Sequence, residues 1–388
     1  LRVSGFSLKF LTCLLIMQQV AIIGHKSLLG AHLVKAFNDT LPDVRKNLWD
    51  YGINSMETLP TALQNCDLVF NLHELLDLRI APDEQKLMLH NAQFVDHLLC
   101  CCRTAGCRRI VHLSTVYLQA SIVWPNVHGR EVEQFRQFRE QCPFPAYCHS
   151  KFEAEESIRK AAKVLGREAI YSVIARVGPL YGEGDRRSLV CDAILLTHRF
   201  GAVPLVGDQG GTLQFTYAGN AAHALLHCAK KFFDEGLPIY GAEMVLISDK
   251  TPLKDIYRLL LEPIGADAAH GDDDPATPNA VGHSPKPVHK RPIRIWNYIR
   301  FPFYVFYVLY LLVAIVVRPF TAAAAQMPGP YLFYILFRNW TFFSNFKLTT
   351  FFRFVPPFDW KTSFRRARRY YRQLNPDKIQ GFSWVPSF

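Results

Sequence analysis

The sequence predicts an α/β protein: a doubly wound parallel sheet, a smaller second lobe, and an apolar C-terminal region of different character. Three observations lead there. Short β-branched runs alternate with stretches of helical apolar period through the first two hundred residues. Glycines stand where the first such run passes into the first helical stretch. Aromatic residues and positive charge gather in the last hundred residues.

Val20 to Gly24 (VAIIG) reads as a buried strand ending in a turn, and Leu28 to Phe37 as the helix that follows. The runs at Asp67 to Leu72, Arg109 to Ser114 and Ala169 to Val177 each follow a helical stretch, the rhythm of a parallel sheet covered on both faces. Between the first helix and the run at Asp67 only one strand fits, Val44 to Trp49. From Gly201 the pattern loosens into short runs at Val203 to Val206, Leu213 to Tyr217 and Met244 to Ile247, with helices at Asn220 to Phe233 and near Leu253 to Leu261. The resulting partition is an N-terminal extension (1–19), a sheet domain (20–200), a smaller lobe (201–265), a polar linker (266–295), an apolar segment (296–340) and a basic tail (341–388). Phe10 to Met17 reads as a buried strand leading into the first core strand, with a signal remnant or anchor as the alternative.

The formal charge of +11 is unevenly held: from Lys286 to the C-terminus Lys and Arg outnumber Asp and Glu by 14, which leaves −3 for the rest. The positive residues flank apolar runs, so anionic lipid is the expected partner and nucleic acid is not. Ten cysteines without regular spacing, three of them consecutive at Cys100 to Cys102, suit neither a disulfide framework nor a zinc site. His223 and His227 lie one helical turn apart but lack a third ligand, so no metal is expected.

A dinucleotide's pyrophosphate needs close approach of the backbone at a helix N-terminus, and Gly24 and Gly30 have that placement in a Rossmann-like unit. The glycine expected between them is Ser27, whose side chain should crowd the pyrophosphate and weaken binding. Asp50 lies near the distance expected of an acid on the adenosine ribose, or matches a later acidic position near the adenine. NAD is the expected cofactor, with NADP left open. Tyr147 and Lys151 are four apart and share a helix face, where an ammonium should lower the phenol's proton affinity. Ser114 and Thr115 lie about thirty residues upstream, at the C-terminal end of a strand, where a parallel sheet presents its active groups.

Five blocks, VHLST at 111–115, YCHSKFEAE at 147–155, ARVGPLYG at 175–182, VGD at 206–208 and NAAHA at 220–224, resemble in order those of the 3β-hydroxysteroid dehydrogenase/isomerase family, within the extended short-chain dehydrogenases. The resemblance covers roughly 20–262 and resumes near 345–374, with PPFDW at 356–360. It implies Tyr147 as general acid/base on a steroid or sterol hydroxyl, Lys151 on the nicotinamide ribose, and Thr115, with Ser114 as alternate, on the reacting oxygen. It also implies Pro179 near the nicotinamide, Asn71 along the adenosine half, and a C-terminal segment packed back on the body. The family's isomerase acid has no counterpart that can be placed here. Sterol-4-carboxylate dehydrogenases, epimerases and reductases share the fold, as do non-catalytic nucleotide-binding relatives.

Phe301 to Val317, uncharged between Arg300 and Arg318, is at the lower limit for a transmembrane helix. A single span would send the tail across the bilayer, against the packing the resemblance implies. The expectation is therefore that Phe301 to Phe337 enters the membrane and returns, as a hairpin or interfacial helix, with the catalytic body on the cytosolic side of the endoplasmic reticulum. The Arg365 to Arg372 cluster reads as a solvated final helix.

Overall fold

The computed structural model describes residues 17–121, 126–129, 142–164, 166–201, 203–204, 213–234, 239–249, 251–252, 295–296, 302–320, 324, 326–338 and 341–386. The expected strand at Phe10, the helix near Leu253, the VGD block at 206–208 and nearly all of the polar linker lie outside these residues.

Six parallel strands form the main sheet: β1 (Gln19–Ile23), β2 (Arg45–Trp49), β3 (Leu68–Asn71), β4 (Arg109–Thr115), β5 (Tyr171–Val177) and β6 (Ala242–Ile247). Their order is β6-β5-β4-β3-β1-β2. The order reverses at β1, which opens a crevice above the C-terminal ends of β1 and β3. Period-2 alternation distributes β1 between two cores. Val20 and Ile22 pack with Leu29, Leu33 and Phe37 of α1 (Leu28–Thr40) and with Ala221 and Leu225 of α6 (Ala218–Lys231). Ala21 and Ile23 face the other way, onto Leu59 and Leu63 of α2 (Leu59–Leu63), Leu98 of α3 (Phe94–Ala105) and Ile158 of α4 (Pro145–Lys163).

A single strand, β2, lies beyond β1 and forms the sheet edge, with Ile23 opposite Trp49. The division at 200/201 is corrected: β6 pairs with β5 along its length, and α6 packs on α1, so both belong to the sheet domain. An apolar run such as MVLI at 244–247 announces a buried strand but not its partner. What remains apart is a small sheet of Leu180–Tyr181, Gln214–Tyr217 and Thr251–Pro252, beside α5 (Leu189–Phe200).

The C-terminal region folds onto this body. The helices α7 (Phe303–Val317) and α8 (Pro330–Phe337) pack as a hairpin through Phe306 on Phe333 and Phe303 on Tyr334. Backbone bonds from Gly329 to the Leu78 carbonyl and from Ile80 to the Met327 carbonyl stitch the hairpin to the loop after β3. At 15 residues α7 reaches roughly 22 Å, short of a hydrocarbon core of about 30 Å. Among the described residues no helix is long and apolar enough to cross a membrane. The Arg365 to Arg372 cluster lies on α9 (Trp360–Gln373), where Ala367, Arg368 and Tyr371 turn inward. His223 rests against Phe358 and His227 bonds the Phe352 carbonyl, so both serve packing. All described cysteines are free thiols, and no described cluster could hold a metal.

Candidate active site

A cleft of about 790 Å³ runs above the sheet from the β1 turn to the loop after β5. Its lining includes Gly24, Ser27, Asp50, Glu74, Thr115, Tyr147 and Pro179.

At one end, Gly24 has φ +82°, and a Cβ there would lie 2.9 Å from the Leu72 carbonyl carbon. At Gly30 a Cβ would sit 2.2 Å from the Gly24 carbonyl oxygen, so its absence lets α1 start directly against the turn. Ser27 does not crowd the cleft in the way expected. Its φ is −64°, and its hydroxyl donates to the Gly24 carbonyl at 2.7 Å and accepts from Gly30 N at 3.0 Å, capping α1 from within. A serine suffices because this turn does not need a positive φ there.

Asp50 follows β2 directly, so it stands at the C-terminal end of the edge strand beside β1. Its carboxylate accepts from Lys26 N at 3.3 Å and lies 2.8 Å from His25 Nδ1. Asn71 is placed differently from the expectation. It is fully buried beneath the cleft, where its amide meets His112 Nδ1 at 3.0 Å and its oxygen accepts from His73 N. The next residues, Leu72 to Leu76, form the wall instead.

The floor comes from one stripe of α4. Tyr147, Lys151 and Glu155 recur every fourth residue and are all buried, so the helix lays them along β4. Glu155 anchors the stripe: it accepts from Arg176 at 2.8 and 2.6 Å, from Arg159 at 2.7 Å and from the Ser114 hydroxyl at 2.6 Å. These cations outweigh burial and hold its carboxyl down at about 2. Ser114, although it also lines the cleft, is thereby engaged by Glu155, and Thr115, on the other face of the strand, is the hydroxyl beside Tyr147. Lys151 donates to the Leu113 carbonyl at 2.7 Å and lies 3.4 Å from Glu74. Burial lowers its proton affinity and Glu74 opposes that.

Tyr147 donates to Glu74 Oε2 at 3.0 Å. Burial first, then the Glu74 charge, hold the phenol well above its usual range, while a hydrogen bond with Thr115 pulls the other way. The sign is opposite to the lowering expected from Lys151 alone. Behind Glu74, Tyr51 stacks on His73 at 4.8 Å, and burial with His90 and Lys151 nearby drives His73 down to about 3.

The far wall is built by Pro179, whose carbonyl is taken by Thr216 N, and by Asp185 and Arg187 of the following loop. The C-terminal segment holds that loop: Tyr371 donates to Asp185 and accepts from Gly182 N at 3.0 Å. Gln380 and Ser383 complete the lining, with Ser383 N donating to Asp192 at 2.7 Å. Glu74, Arg187 and Ser383 carried no motif. Of the groups missed, only Glu155, one turn beyond Lys151, was visible as a continuation of the stripe.

The family model described as 3-beta hydroxysteroid dehydrogenase/isomerase matches residues 21–271. A 3beta-hydroxysteroid-dehydrogenase/decarboxylase isoform 2 of Arabidopsis thaliana is 26% identical over 220 residues, which are 53% of this chain and 35% of the plant protein. The chain thus spans about a third of that relative's length. A decarboxylating sterol-4-alpha-carboxylate 3-dehydrogenase of Saccharomyces cerevisiae is 23% identical over 263 residues, covering 60% of this chain and 71% of the yeast protein. Among solved structures, a UDP-glucuronic acid 4-epimerase from Bacillus cereus in complex with NAD superposes with TM-score 0.60 at 15% identity, covering 95% of this chain and all of that one. A UDP-galactose 4-epimerase superposes with TM-score 0.58 at 14% identity, covering 91% and 98%. At these identities the likeness establishes the fold.

Proposed function

Because this chain belongs to the 3-beta hydroxysteroid dehydrogenase/isomerase family, we propose that it moves a hydride between a nicotinamide dinucleotide and C3 of a sterol, with Tyr147 as the proton-transferring group. The observation that carries this reading is the Tyr147 hydroxyl on the cleft floor, flanked by Thr115 and Lys151 and facing the Gly24 turn along one continuous cleft.

The cleft fits a dinucleotide at every point where the chain makes close approach. Gly24 and the first N–H groups of α1 would receive the pyrophosphate, with Gly30 letting the helix start close against the turn. Asp50 receives the adenosine ribose hydroxyls, and its charge opposes a 2′-phosphate, which favours NAD over NADP. Pro179 lines the part of the cleft that would take the nicotinamide half, and Lys151, buried against the Leu113 carbonyl one turn from Tyr147, would orient the neighbouring ribose. When bound, the cofactor supplies the hydride acceptor or donor. Thr115 holds the substrate oxygen while Tyr147 takes or gives its proton, and the buried α4 stripe keeps water from that proton.

A specific feature favours a sterol carrying an acidic substituent. Arg187 lines the cleft, and its buried Nε has no hydrogen-bond partner among the described residues. An unsatisfied guanidinium edge in a cleft suits a carboxylate, and both curated relatives are named for decarboxylating chemistry. The apolar hairpin supports a seat on the membrane surface. Val305, Val308, Leu312, Ile315 and Val316 are between 46% and 68% exposed on α7, an apolar face of the kind that lies in a lipid interface.

The test is to titrate NADH and NADPH into the purified protein and to assay 3β-hydroxysterols with and without a 4-carboxyl group. Tighter NADH binding and turnover of at least one sterol are expected, with Arg187→Gln selectively raising KM for the carboxylated one. A protein that binds neither dinucleotide refutes the enzymatic reading in favour of a scaffold.

A further inference from the structure

The wall residue Glu74 has no part in the chemistry assigned above, yet it touches both members of the pair that performs it. It follows the buried end of β3, where the chain leaves the sheet through Leu72 and His73. Asn71 and Leu72 are pinned below, so the segment cannot swing away without breaking the Asn71 to His112 bond. From that fixed base one carboxylate oxygen accepts the Tyr147 hydroxyl at 3.0 Å and lies 3.4 Å from the Lys151 ammonium. The Glu74 side chain is itself 32% exposed, so it reaches from the buried pair to the water of the cleft.

Resting on the acid/base reading of Tyr147, we propose that Glu74 is a positioning residue that holds the phenolic proton in place and so sets the pH at which Tyr147 passes from proton donor to proton acceptor. In the reducing direction the carbonyl carbon takes a hydride from the reduced dinucleotide. The C=O π pair moves onto oxygen, the Tyr147 O–H bond breaks, and its proton forms the new O–H bond. The products are the alcohol, the oxidised dinucleotide and a phenolate. That phenolate faces the Glu74 carboxylate, and the repulsion drives return of a proton from cleft water. Oxidation has to begin from the same phenolate, the state that Glu74 makes scarce. The overall equilibrium belongs to the reactants; Glu74 governs which protonation state of Tyr147 is populated at a given pH.

The other groups around the phenol do not reverse this. On its own helix are Cys148, whose thiol burial pushes up, and Lys151, whose proton affinity burial lowers. From β4 comes Thr115, which bonds the phenol, and from the turn after it Tyr117, a second buried phenol pushed up by burial. His73, on the segment that carries Glu74, and His90 behind it are both shifted down by burial, His73 to about 3, so neither supplies a cation there at neutral pH. Glu155 is spent on Arg176 and Arg159. Asp185 and Arg187 stand on the opposite wall.

The experiment compares Glu74→Gln, which keeps shape and removes charge, with the wild type by two readouts. In the first, tyrosinate absorbance is titrated in the cofactor-free protein, and the Tyr147 signal is isolated by subtracting the same titration in Tyr147→Phe backgrounds. In the second, kcat/KM is followed against pH in both directions. Loss of Glu74 should move the Tyr147 titration and the acidic limb of alcohol oxidation down by about one pH unit or more, a roughly tenfold gain in oxidation at a pH on that limb. Reduction at the same pH should change by the same factor, because the equilibrium and the cofactor affinities fix the ratio of the two directions, its own alkaline limb should move down with the oxidation limb, and Glu74→Asp should restore part of the wild-type profile. A merely structural role would lower both directions together and leave the limb in place, and that outcome overturns the proposal. So does an unmoved tyrosinate titration, whatever the activities. Full turnover by Tyr147→Phe overturns the acid/base reading itself and the proposal with it.

Discussion

Replacing Arg176 by Met tests the anchor beneath the active site. The guanidinium donates twice to Glu155, at 2.8 and 2.6 Å, and both side chains are buried to within 1%. Hydrogen bonds to charged groups contribute about 1.5–3 kcal/mol each, and breaking one partner of a buried pair costs about 3–5 kcal/mol. A second route agrees: a buried carboxyl held at about 2 rather than its ordinary value near 4.5 corresponds to about 3 kcal/mol. Arg159 and Ser114 remain in Arg176→Met, so the loss should fall near the lower figure. The pH dependence has a definite sign. In the wild type the depressed Glu155 contributes stability present above the unfolded carboxyl value and lost as pH falls toward about 2. In Arg176→Met burial acts with less opposition, so Glu155 accepts a proton more readily and the deficit should shrink as pH falls from neutral. Urea denaturation at pH 7 and at pH 5 measures both effects. A midpoint unchanged at pH 7, or a deficit that grows on acidification, refutes the anchoring role.

Gly30→Ala places a methyl against the Gly24 carbonyl, so it should cost about 1–3 kcal/mol and weaken dinucleotide binding, read by denaturation and by NADH titration. Ser27→Ala removes the α1 cap and should cost about 1 kcal/mol, whereas Ser27→Gly should bring no gain in NADH affinity because the hydroxyl is already engaged with the Gly24 carbonyl and Gly30 N. Burial raises Asp192 to about 8, so it should be largely protonated at neutral pH, and its contribution to stability declines as pH rises from the unfolded carboxyl value through about 8. Asp192→Asn keeps bonds to Ser383 without that titration and should flatten the decline, seen as a Tm that varies less between pH 6 and about 9.

The parallel sheet, the glycine turn and the Tyr147 to Lys151 pair were legible because each is a local pattern: alternation, a strand-to-helix glycine, and a spacing of one helical turn. Asp50 was legible in distance, but its place in the cleft beside β1 depended on β2 pairing with β1, which no local pattern specifies. The role of Ser27 was not legible for a related reason. Its effect depends on the direction of a hydroxyl, and a capping serine and a crowding serine are the same letter. Asn71 and Ser114 sit at the ends of strands beside the right neighbours, yet each is engaged by a buried partner, His112 and Glu155. The partition at residue 200 failed because β6 returns from far along the chain to the sheet edge. Glu74, Arg187 and Ser383 come from loops and from the C-terminal segment, so only the folded chain brings them together.

The central claim is hydride transfer at a sterol carbon, and isotope transfer measures it most directly. A 3β-hydroxysterol carrying deuterium at C3 is incubated with NAD and the purified protein, at a pH high enough for oxidation to proceed, and the recovered dinucleotide is examined by mass spectrometry. The account predicts one deuterium on the nicotinamide ring with the wild type and none with Tyr147→Phe, although that variant still binds NADH. Dinucleotide that binds yet stays unlabelled across sterols with and without a 4-carboxyl group contradicts it.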